Sequence, residues 1–313
     1  MDIERYKKFK LNFQDKYFKV IKPKLAHYEQ KRLDGQALWK KRLKIILLIF
    51  ITLAILSLCF CGELLFFILF LGFVIGFFMR ASIVGSINTE MKQEFMPLVC
   101  ECFENLSWVN ARPERVSEFH EVGLVNYYNR TSFDDIFSGN YKDVNFNIIE
   151  ADFKYESGSG KDRSVTQIFN GIILKIESKK AFESHTLIRP DRIFKGAIKG
   201  LKRTELEDVI FEKKYDVYTD DEVEARVIIT TAFMERINNI SKVFKTKETS
   251  CAFLGNLVYI ALETNKNMFE IFNFDKPVNG AEFFAQMFEE LISIYKLIDY
   301  LQLGQKNNLT KGN

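Results

Sequence analysis

Few residues of this chain could do chemistry, and their spacing matches no familiar catalytic or metal-binding motif. Ser157-Gly158-Ser159-Gly160 has the glycines of a phosphate-binding loop, but no Gly-Lys-Ser/Thr follows it, so it is predicted to be a hairpin turn between two strands. The acids between Asp220 and Glu224 lack the spacing and the central glycine of a calcium loop, and acids at the start of a helix need no metal. Asp134-Asp135 is interpreted as a solvated loop pair.

The cysteines and histidines form no recognisable site either. Cys100-x-Cys102 has no second cysteine pair and no nearby histidine, so zinc is not expected. The sequence has no Gly-x-Ser-x-Gly elbow and no His-Glu-x-x-His, and no histidine has an acid and a nucleophile at a familiar spacing. We therefore assign no catalytic residue, metal or cofactor. This favours a non-enzymatic protein, with catalysis by residues that only the fold brings together as the alternative.

The longest apolar stretch lies between residues 45 and 79 and is interrupted only at Gly62-Glu63. As one straight helix it would be roughly 52 Å long, well beyond a hydrocarbon core of about 30 Å, whereas each arm alone would be about 25 Å. Backbone groups in lipid must bond within the protein, which favours a helix that turns back at the far interface. The sequence therefore predicts a transmembrane helical hairpin over residues 43–80.

The charges are divided unevenly along the chain, and this division predicts the orientation. Residues 1–44 hold 14 Lys and Arg against 5 Asp and Glu, a net charge of +9, and the rest holds 30 against 36, a net charge of −6. Because positive charge stays on the cytoplasmic side, both termini are expected to be cytoplasmic in a membrane protein with two spans. The acidic balance of the remaining chain argues against nucleic-acid binding.

The first segment combines an aromatic stripe at helical spacing with many lysines. Two interpretations are open: the stripe lies on an anionic membrane surface, or it packs on the protein and leaves the lysines in water. Pro23 is predicted to end this helix. The stripe residues are Ile3, Tyr6, Phe9, Phe13, Tyr17 and Val20. The residues expected at the membrane surface are Lys7, Lys8, Lys10, Lys16, Lys19 and, as an interfacial anchor, Trp39.

The remaining chain is predicted to form one cytoplasmic α+β domain with a mainly antiparallel sheet. One long helix from Glu222 to about Phe244, capped by Thr219 or Asp220, and a C-terminal amphipathic helix from Gly280 to Leu303 complete it. The predicted organisation is a basic helical segment 1–42, the hairpin 43–80, an amphipathic linker helix 81–109, the domain 110–303 and a polar tail 304–313. The predicted strands are Val144–Phe153, Val165–Ile176, Thr186–Ile188, Phe211–Tyr218, and a late hairpin of Cys251–Leu254 with Leu257–Leu262.

Several short segments resemble a known family. They are Asp135-Ile136-Phe137-Ser138-Gly139, Phe146–Glu150, Phe169–Ile172, Tyr215–Thr230, Phe233–Ile237 and Met268-Phe269-Glu270. Through these segments, residues 85–303 resemble the bacterial membrane-protein family called domain of unknown function 3137. The resemblance implies a membrane hairpin ahead of the domain, and it implies no activity, cofactor or catalytic residue. It also suggests a LemA-like membrane protein as partner, because family members are often encoded near such proteins.

Arg226, near the start of the predicted long helix, is the first candidate for a ligand contact. It could pair with Glu222 or with a buried carboxylate such as Glu150, or it could bind an anion such as a lipid phosphate in a pocket on the sheet. The favoured hypothesis is a membrane-anchored protein whose domain binds a partner protein or a lipid headgroup. The alternative is an enzyme acting on a lipid or membrane-tethered substrate through Glu150, Arg226 and Asp135.

Overall fold

The computed structural model describes residues 1–60, 65–110, 116–190, 200–235, 237, 245–264, 266–278 and 281–300. The protein is α+β, with long N-terminal helices and a large antiparallel sheet. It divides into two compact units. The sheet unit comprises Met1–Lys10, Cys100–Phe269 and Gln286–Asn313, and the helical unit comprises Leu11–Val99 and Glu270–Ala285.

The N-terminal half is built from three helices. Helix α1 (Ile3–Lys16) passes through a π-helical turn (Tyr17–Ile21) into α2 (Lys22–Phe60), and α3 (Leu65–Cys100) follows. Pro23 does not end a helix as predicted, because the π-helical turn directly before it, in which the N–H of Lys22 bonds to the carbonyl of Tyr17, lets the chain continue as a helix. Helix α3 ends at Cys100 rather than near Trp108, since Asn105 adopts a left-handed conformation and residues 106–110 form a strand.

Helices α2 and α3 pack side by side in opposite directions. Tyr28 and Lys24 both bond to Glu94, at 2.5 and 2.6 Å, and Lys31 pairs with Glu90. Further along, Gly72 lies against the ring of Phe50 so closely that a Cβ atom there would be 2.8 Å from it. Residue numbers in these contacts rise on one helix as they fall on the other, which is the signature of an antiparallel pair.

The sheet has seven strands and every described pairing is antiparallel. Its order is β1-β2-β3-β4-β6-β5, and β7 pairs with β4. The strands are β1 (Leu106–Asn110), β2 (Arg130–Tyr141), β3 (Val144–Ser157), β4 (Ser164–Pro190), β5 (Lys202–Thr204), β6 (Tyr215–Thr219) and β7 (Glu248–Glu263). The predicted hairpin turn at Ser157–Gly160 is confirmed, since it joins the paired strands β3 and β4.

Three strand predictions need correction. The two segments Val165–Ile176 and Thr186–Ile188 belong to one strand, β4, which has 27 residues. The predicted late hairpin is also one strand, β7, because Gly255 at φ +58° forms an irregularity opposite Phe182 of β4 and the chain continues in the same direction. Phe211 lies in helix α5 (Val209–Glu212), whose N-cap Asp208 accepts hydrogen bonds from the N–H groups of Ile210 and Phe211.

The predicted long helix from Glu222 is interrupted. Helix α6 (Glu222–Ile228) is capped by Asp221, not by Thr219 or Asp220, and it ends at Ile229. The run of five β-branched residues from Val227 to Thr231 disfavours a continuous helix there. Helical conformation resumes at residues 231–235, and residues 238–244 lie outside the described part.

The C-terminal helix α7 (Glu282–Tyr300) and α1 contribute to an aromatic core in the sheet unit. The buried ring of Tyr295 contacts the rings of Phe9, Phe103, Tyr141 and Phe146 at centroid distances of 5.0–5.5 Å. Short helix α4 (Glu118–Glu121) packs Phe119 against Phe153 of β3 in a second buried cluster. At Phe9, therefore, the aromatic side of α1 faces protein.

Candidate functional site

An irregularity in β2 gathers three carboxylates in the sheet unit. The register between β2 and β3 shifts between Phe133 and Ile136, so that Asp134 and Asp135 form a bulge opposite Glu150 of β3. Oxygen atoms of these three side chains all lie within 4.8 Å of one another. Asp134-Asp135 is therefore not a loop pair as the sequence suggested; Asp135 is fully buried in a strand and Glu150 is only 7% exposed.

The buried carboxylates accept hydrogen bonds from the protein. The indole N–H of Trp108, on the neighbouring strand β1, donates to Asp135 Oδ1 at 2.7 Å. The backbone N–H of Met268 donates to Glu150 Oε1 at 2.8 Å. A buried carboxylate without hydrogen-bond donors is strongly unfavourable, so these N–H groups help to stabilise the buried carboxylates of Asp135 and Glu150.

The segment Met268-Phe269 is held by two acids in succession. Next to the bond from Met268 to Glu150, the N–H of Phe269 donates to Glu290 Oε2 of α7 at 2.8 Å. Phe269 is buried, has a left-handed φ of +57°, and its ring lies 4.8 Å from that of Phe137 on β2. The two acids thus stabilise a backbone conformation that non-glycine residues adopt rarely. Burial raises the pKa of the Glu290 carboxyl.

Three segments that carried the family resemblance meet here: the Asp135–Gly139 run, the Phe146–Glu150 run and Met268-Phe269-Glu270. Among the described residues, Asp134, Asp135 and Glu150 are the carboxylates that could together ligate a hard cation such as Ca²⁺ or Mg²⁺. The hydrogen bonds that Asp135 accepts from Trp108 and Glu150 accepts from Met268 also give these two carboxylates a structural role.

Arg226 is not brought to these carboxylates. It is exposed on α6, and Glu224 of the same helix accepts bonds from the N–H groups of Glu183 and Ser184 of β4. Helix α6 thus bonds to β4 at Ser184, whereas Glu150 pairs with Ile172, which lies twelve residues earlier in the same strand. In the described residues Arg226 forms no ion pair with Glu222 or Glu150, and the enzymatic alternative stays a hypothesis.

A different arginine, Arg189 of β4, is buried in the sheet unit, and sequence reasoning missed it. It lines a small cavity together with Asn126, whose Oδ1 accepts a bond from Arg189 Nη2 at 2.6 Å. Burial lowers the pKa of the Arg189 guanidinium. The only signal in the sequence was a cation directly after the apolar run Leu187-Ile188 and directly before Pro190.

The residues expected at the membrane surface lie on α1, in the π-helical turn and on α2. Lys7 and Lys10 are exposed, Lys8 pairs with Glu104 at 2.7 Å, Lys19 pairs with Asp15 at 2.6 Å, and Lys16 is half-buried. Trp39 is half-buried on α2, with the Arg80 guanidinium 5.6 Å above its ring.

Arg80 of α3 also forms a bidentate ion pair with Asp275, at 2.7 and 2.8 Å. Beyond Lys44 on α2 and before Arg80 on α3, the described side chains are uncharged and many large apolar ones are exposed. Among the described helices, one (Phe66–Cys100) is long and apolar enough to cross a membrane, judged by length and composition.

Residues 167–303 match the family described as "Protein of unknown function (DUF3137)". A search of the curated proteins finds no match. Among solved structures, the "crystal structure of the mycobacterial trehalose monomycolate transport factor A, TtfA" is similar at 8% identity, with a TM-score of 0.34, over 62% of this chain and 88% of that one. At this TM-score the likeness carries no argument about fold or function.

The matched segment includes β6, α6 and Met268-Phe269-Glu270, which are among the motifs that indicated the family, while residues 85–166 lie outside it. The resemblance predicted from the sequence is thereby confirmed over residues 167–303, which match the DUF3137 family model.

Proposed function

We propose that the chain is a membrane-anchored protein whose helices α2 and α3 cross a bacterial inner membrane as a hairpin, with both termini on the cytoplasmic side. The observation that carries this proposal is the exposure of large apolar side chains on both helices. On α3, Phe66 is 82% exposed and Phe73 is 72% exposed, and on α2, Leu48 is 66% exposed. A contiguous apolar surface of this extent is expected in lipid rather than in water.

The lengths support the same arrangement. Away from the level of the Trp39–Arg80 pair, the uncharged residues 45–60 of α2 extend about 24 Å and residues 65–79 of α3 about 22 Å, which suits a hydrocarbon core slightly thinner than about 30 Å. Tryptophan and arginine are typical of the interface between lipid and water. On the other side of this level, α2 and α3 are joined by ion pairs such as Lys24–Glu94. The turn proposed at Gly62-Glu63 lies outside the described residues.

Cysteine accessibility in intact cells tests the proposal. Single cysteines are introduced as K19C, E63C or K161C into a full-length chain whose five native cysteines are replaced by alanine, and a membrane-impermeant maleimide is added before or after lysis. Lys19 and Lys161 are exposed in the structure, so both positions are open to the reagent. Two spans predict labelling of E63C in intact cells, and labelling of K19C and K161C only after lysis.

Other outcomes contradict the proposal in recognisable ways. A single span through α3 would put K161C on the opposite side from K19C and E63C. A protein without any span would label at none of the three positions until lysis, and carbonate extraction would release it from the membrane fraction.

We further propose that the sheet unit binds a partner membrane protein or a lipid headgroup. The short helices α5 and α6, which flank β6, support this because they expose apolar β-branched side chains, namely Val209, Ile210, Val223 and Val227. A photo-crosslinking residue at Val223 in native membranes should capture the partner, and V227S should weaken capture. A crosslinker at exposed Val165 of β4 is the matched control, and equal capture from Val165 and Val223 would contradict the proposed surface.

A further inference from the structure

Arg189 lies near the end of β4, between two other strands of the sheet. It pairs in register with Asp216 of β6, and the preceding Ile188 pairs with Cys251 of β7. Only 6% of Arg189 is exposed. An arginine is seldom buried to this degree unless an anion accompanies it.

No described carboxylate forms an ion pair with Arg189. The Asp216 carboxylate, which stands opposite on β6, accepts a bond from Arg203 Nε at 2.6 Å instead. Arg189 Nη2 donates to the neutral Asn126 side chain, and the buried Nε–H group has no hydrogen-bond partner. Desolvation is therefore the main effect on this guanidinium and lowers its pKa, since no carboxylate of the described residues bonds to it.

The space beside Arg189 is suited to a small group. The cavity holds about 30 Å³, room for one or two water-sized groups, and it opens partly to solvent. Its walls include the apolar residues Leu124, Phe169 and Ala261 and the hydroxyl of Ser250. Glu248 and Glu263 also line it, and Glu263 lies 3.4 Å from Lys247. Two nearby carboxylates disfavour a ligand group that carries more than one negative charge.

We propose that this cavity is a binding site for a carboxylate group, which the guanidinium of Arg189 holds, with Asn126 fixing the guanidinium. A guanidinium presents parallel N–H groups that match the two oxygens of a carboxylate. The cavity accommodates the carboxylate end of a ligand, and the remainder of that ligand extends into solvent. The site is separate from the Asp135–Glu150 cluster and from the apolar surface of α2 and α3.

Thermal unfolding of the full-length protein in a zwitterionic, carboxylate-free detergent tests the site. Acetate, phosphate and chloride are titrated separately at constant ionic strength. Acetate is expected to raise the unfolding temperature saturably, phosphate to raise it less, and chloride to have no specific effect. Mixed micelles with phosphatidylserine or phosphatidylglycerol distinguish a lipid carboxylate from a soluble one, because only phosphatidylserine carries a carboxylate.

Variants assign the effect to Arg189. R189K keeps the charge but loses the paired N–H groups, and it should weaken the apparent affinity for acetate at least tenfold. R226Q removes an exposed arginine on α6 and should leave the affinity unchanged. N126A retains the guanidinium and should weaken acetate binding by a smaller factor, which keeps the test decisive if R189K does not fold. Equal responses to acetate and chloride, or unchanged acetate binding in both R189K and N126A, would overturn the proposal.

Discussion

Glu150 and Glu290 each accept a hydrogen bond from one of two consecutive N–H groups, those of Met268 and Phe269. The two acids come from different elements, β3 and α7; Glu150 is buried and Glu290 is half-buried. Hydrogen bonds to a charged acceptor are stronger than neutral ones, and leaving a buried donor unpaired is unfavourable. At the scale of the residue, the left-handed conformation of Phe269 therefore depends on side chains far from it in the sequence.

We expect E150A to lower the free energy of unfolding by about 1–3 kcal/mol, because it leaves the N–H of Met268 buried without an acceptor. E150Q keeps an acceptor oxygen and should lose less. Urea denaturation of the purified protein in detergent, followed by tryptophan fluorescence, measures both. E207A, at an exposed glutamate, is the control and should change the free energy by less than about 0.5 kcal/mol. Equal losses in E150A and E150Q would show that the hydrogen bond is not the cause.

Glu290 predicts a dependence of stability on pH. Burial raises the pKa of its carboxyl above the ordinary value of 4.5, so the folded state favours the protonated form. The stability that this preference contributes is complete below the unfolded pKa and is lost as pH rises through the folded pKa. E290Q cannot ionise, so its unfolding temperature should rise relative to that of the wild type as the pH is taken from 4 to 8. Parallel pH profiles of the two proteins would contradict this.

At the scale of the element, the packing of α2 on α3 depends on a close approach at Gly72. A Cβ atom there would lie 2.8 Å from Cγ of Phe50, whereas a Cβ atom at Gly85 of the same helix would meet nothing within 4 Å. These two glycines therefore form a matched pair. One allows the helices to approach, and the other only lowers the helix propensity of α3.

G72A should lower the thermal stability of the helix pair, because the ring of Phe50 must move. G85A should raise it, by about 0.5–1 kcal/mol in the free energy of unfolding, because alanine is the better helix former. Circular dichroism at 222 nm during heating, in the same detergent for both variants, gives the comparison. Stabilisation by both substitutions would mean that the approach at Gly72 is not tight.

The elements that the sequence predicted well are those whose pattern is local. The period-two alternation of Val144–Phe153 identified β3, and the apolar spacing from Phe284 to Ile298 identified α7. Strand β2 was missed because the bulge at Asp134-Asp135 interrupts its alternation and places two acids where a loop is expected. Gly255 looked like a hairpin turn for a similar reason, since a glycine at positive φ serves a turn and a strand irregularity equally well.

At the scale of the whole molecule, the sequence predicted the α+β class, the apolar segments and the resemblance to DUF3137 that residues 167–303 show. It selected Asp135 and Glu150 through the family resemblance, but their proximity follows from the β2–β3 register, which no local pattern specifies. Arg226 was chosen because it lies in the Tyr215–Thr230 segment that resembles the family, and it is exposed. Arg189 could not be chosen, because its burial results from strands separated by about sixty residues.

Helix α2 runs without interruption from Lys22 to Phe60, so the directions in which its polar part and its apolar part face are fixed relative to each other by the helix twist. One inserted residue would turn everything beyond it by about 100°, and the apolar face would no longer meet α3 at Gly72. Seven inserted residues would restore the angle to within about 20° and add about 10 Å to the axis. Homologues can therefore lengthen the polar part of this helix pair only in steps that restore the angle, such as about seven or eleven residues, made in α2 and α3 together.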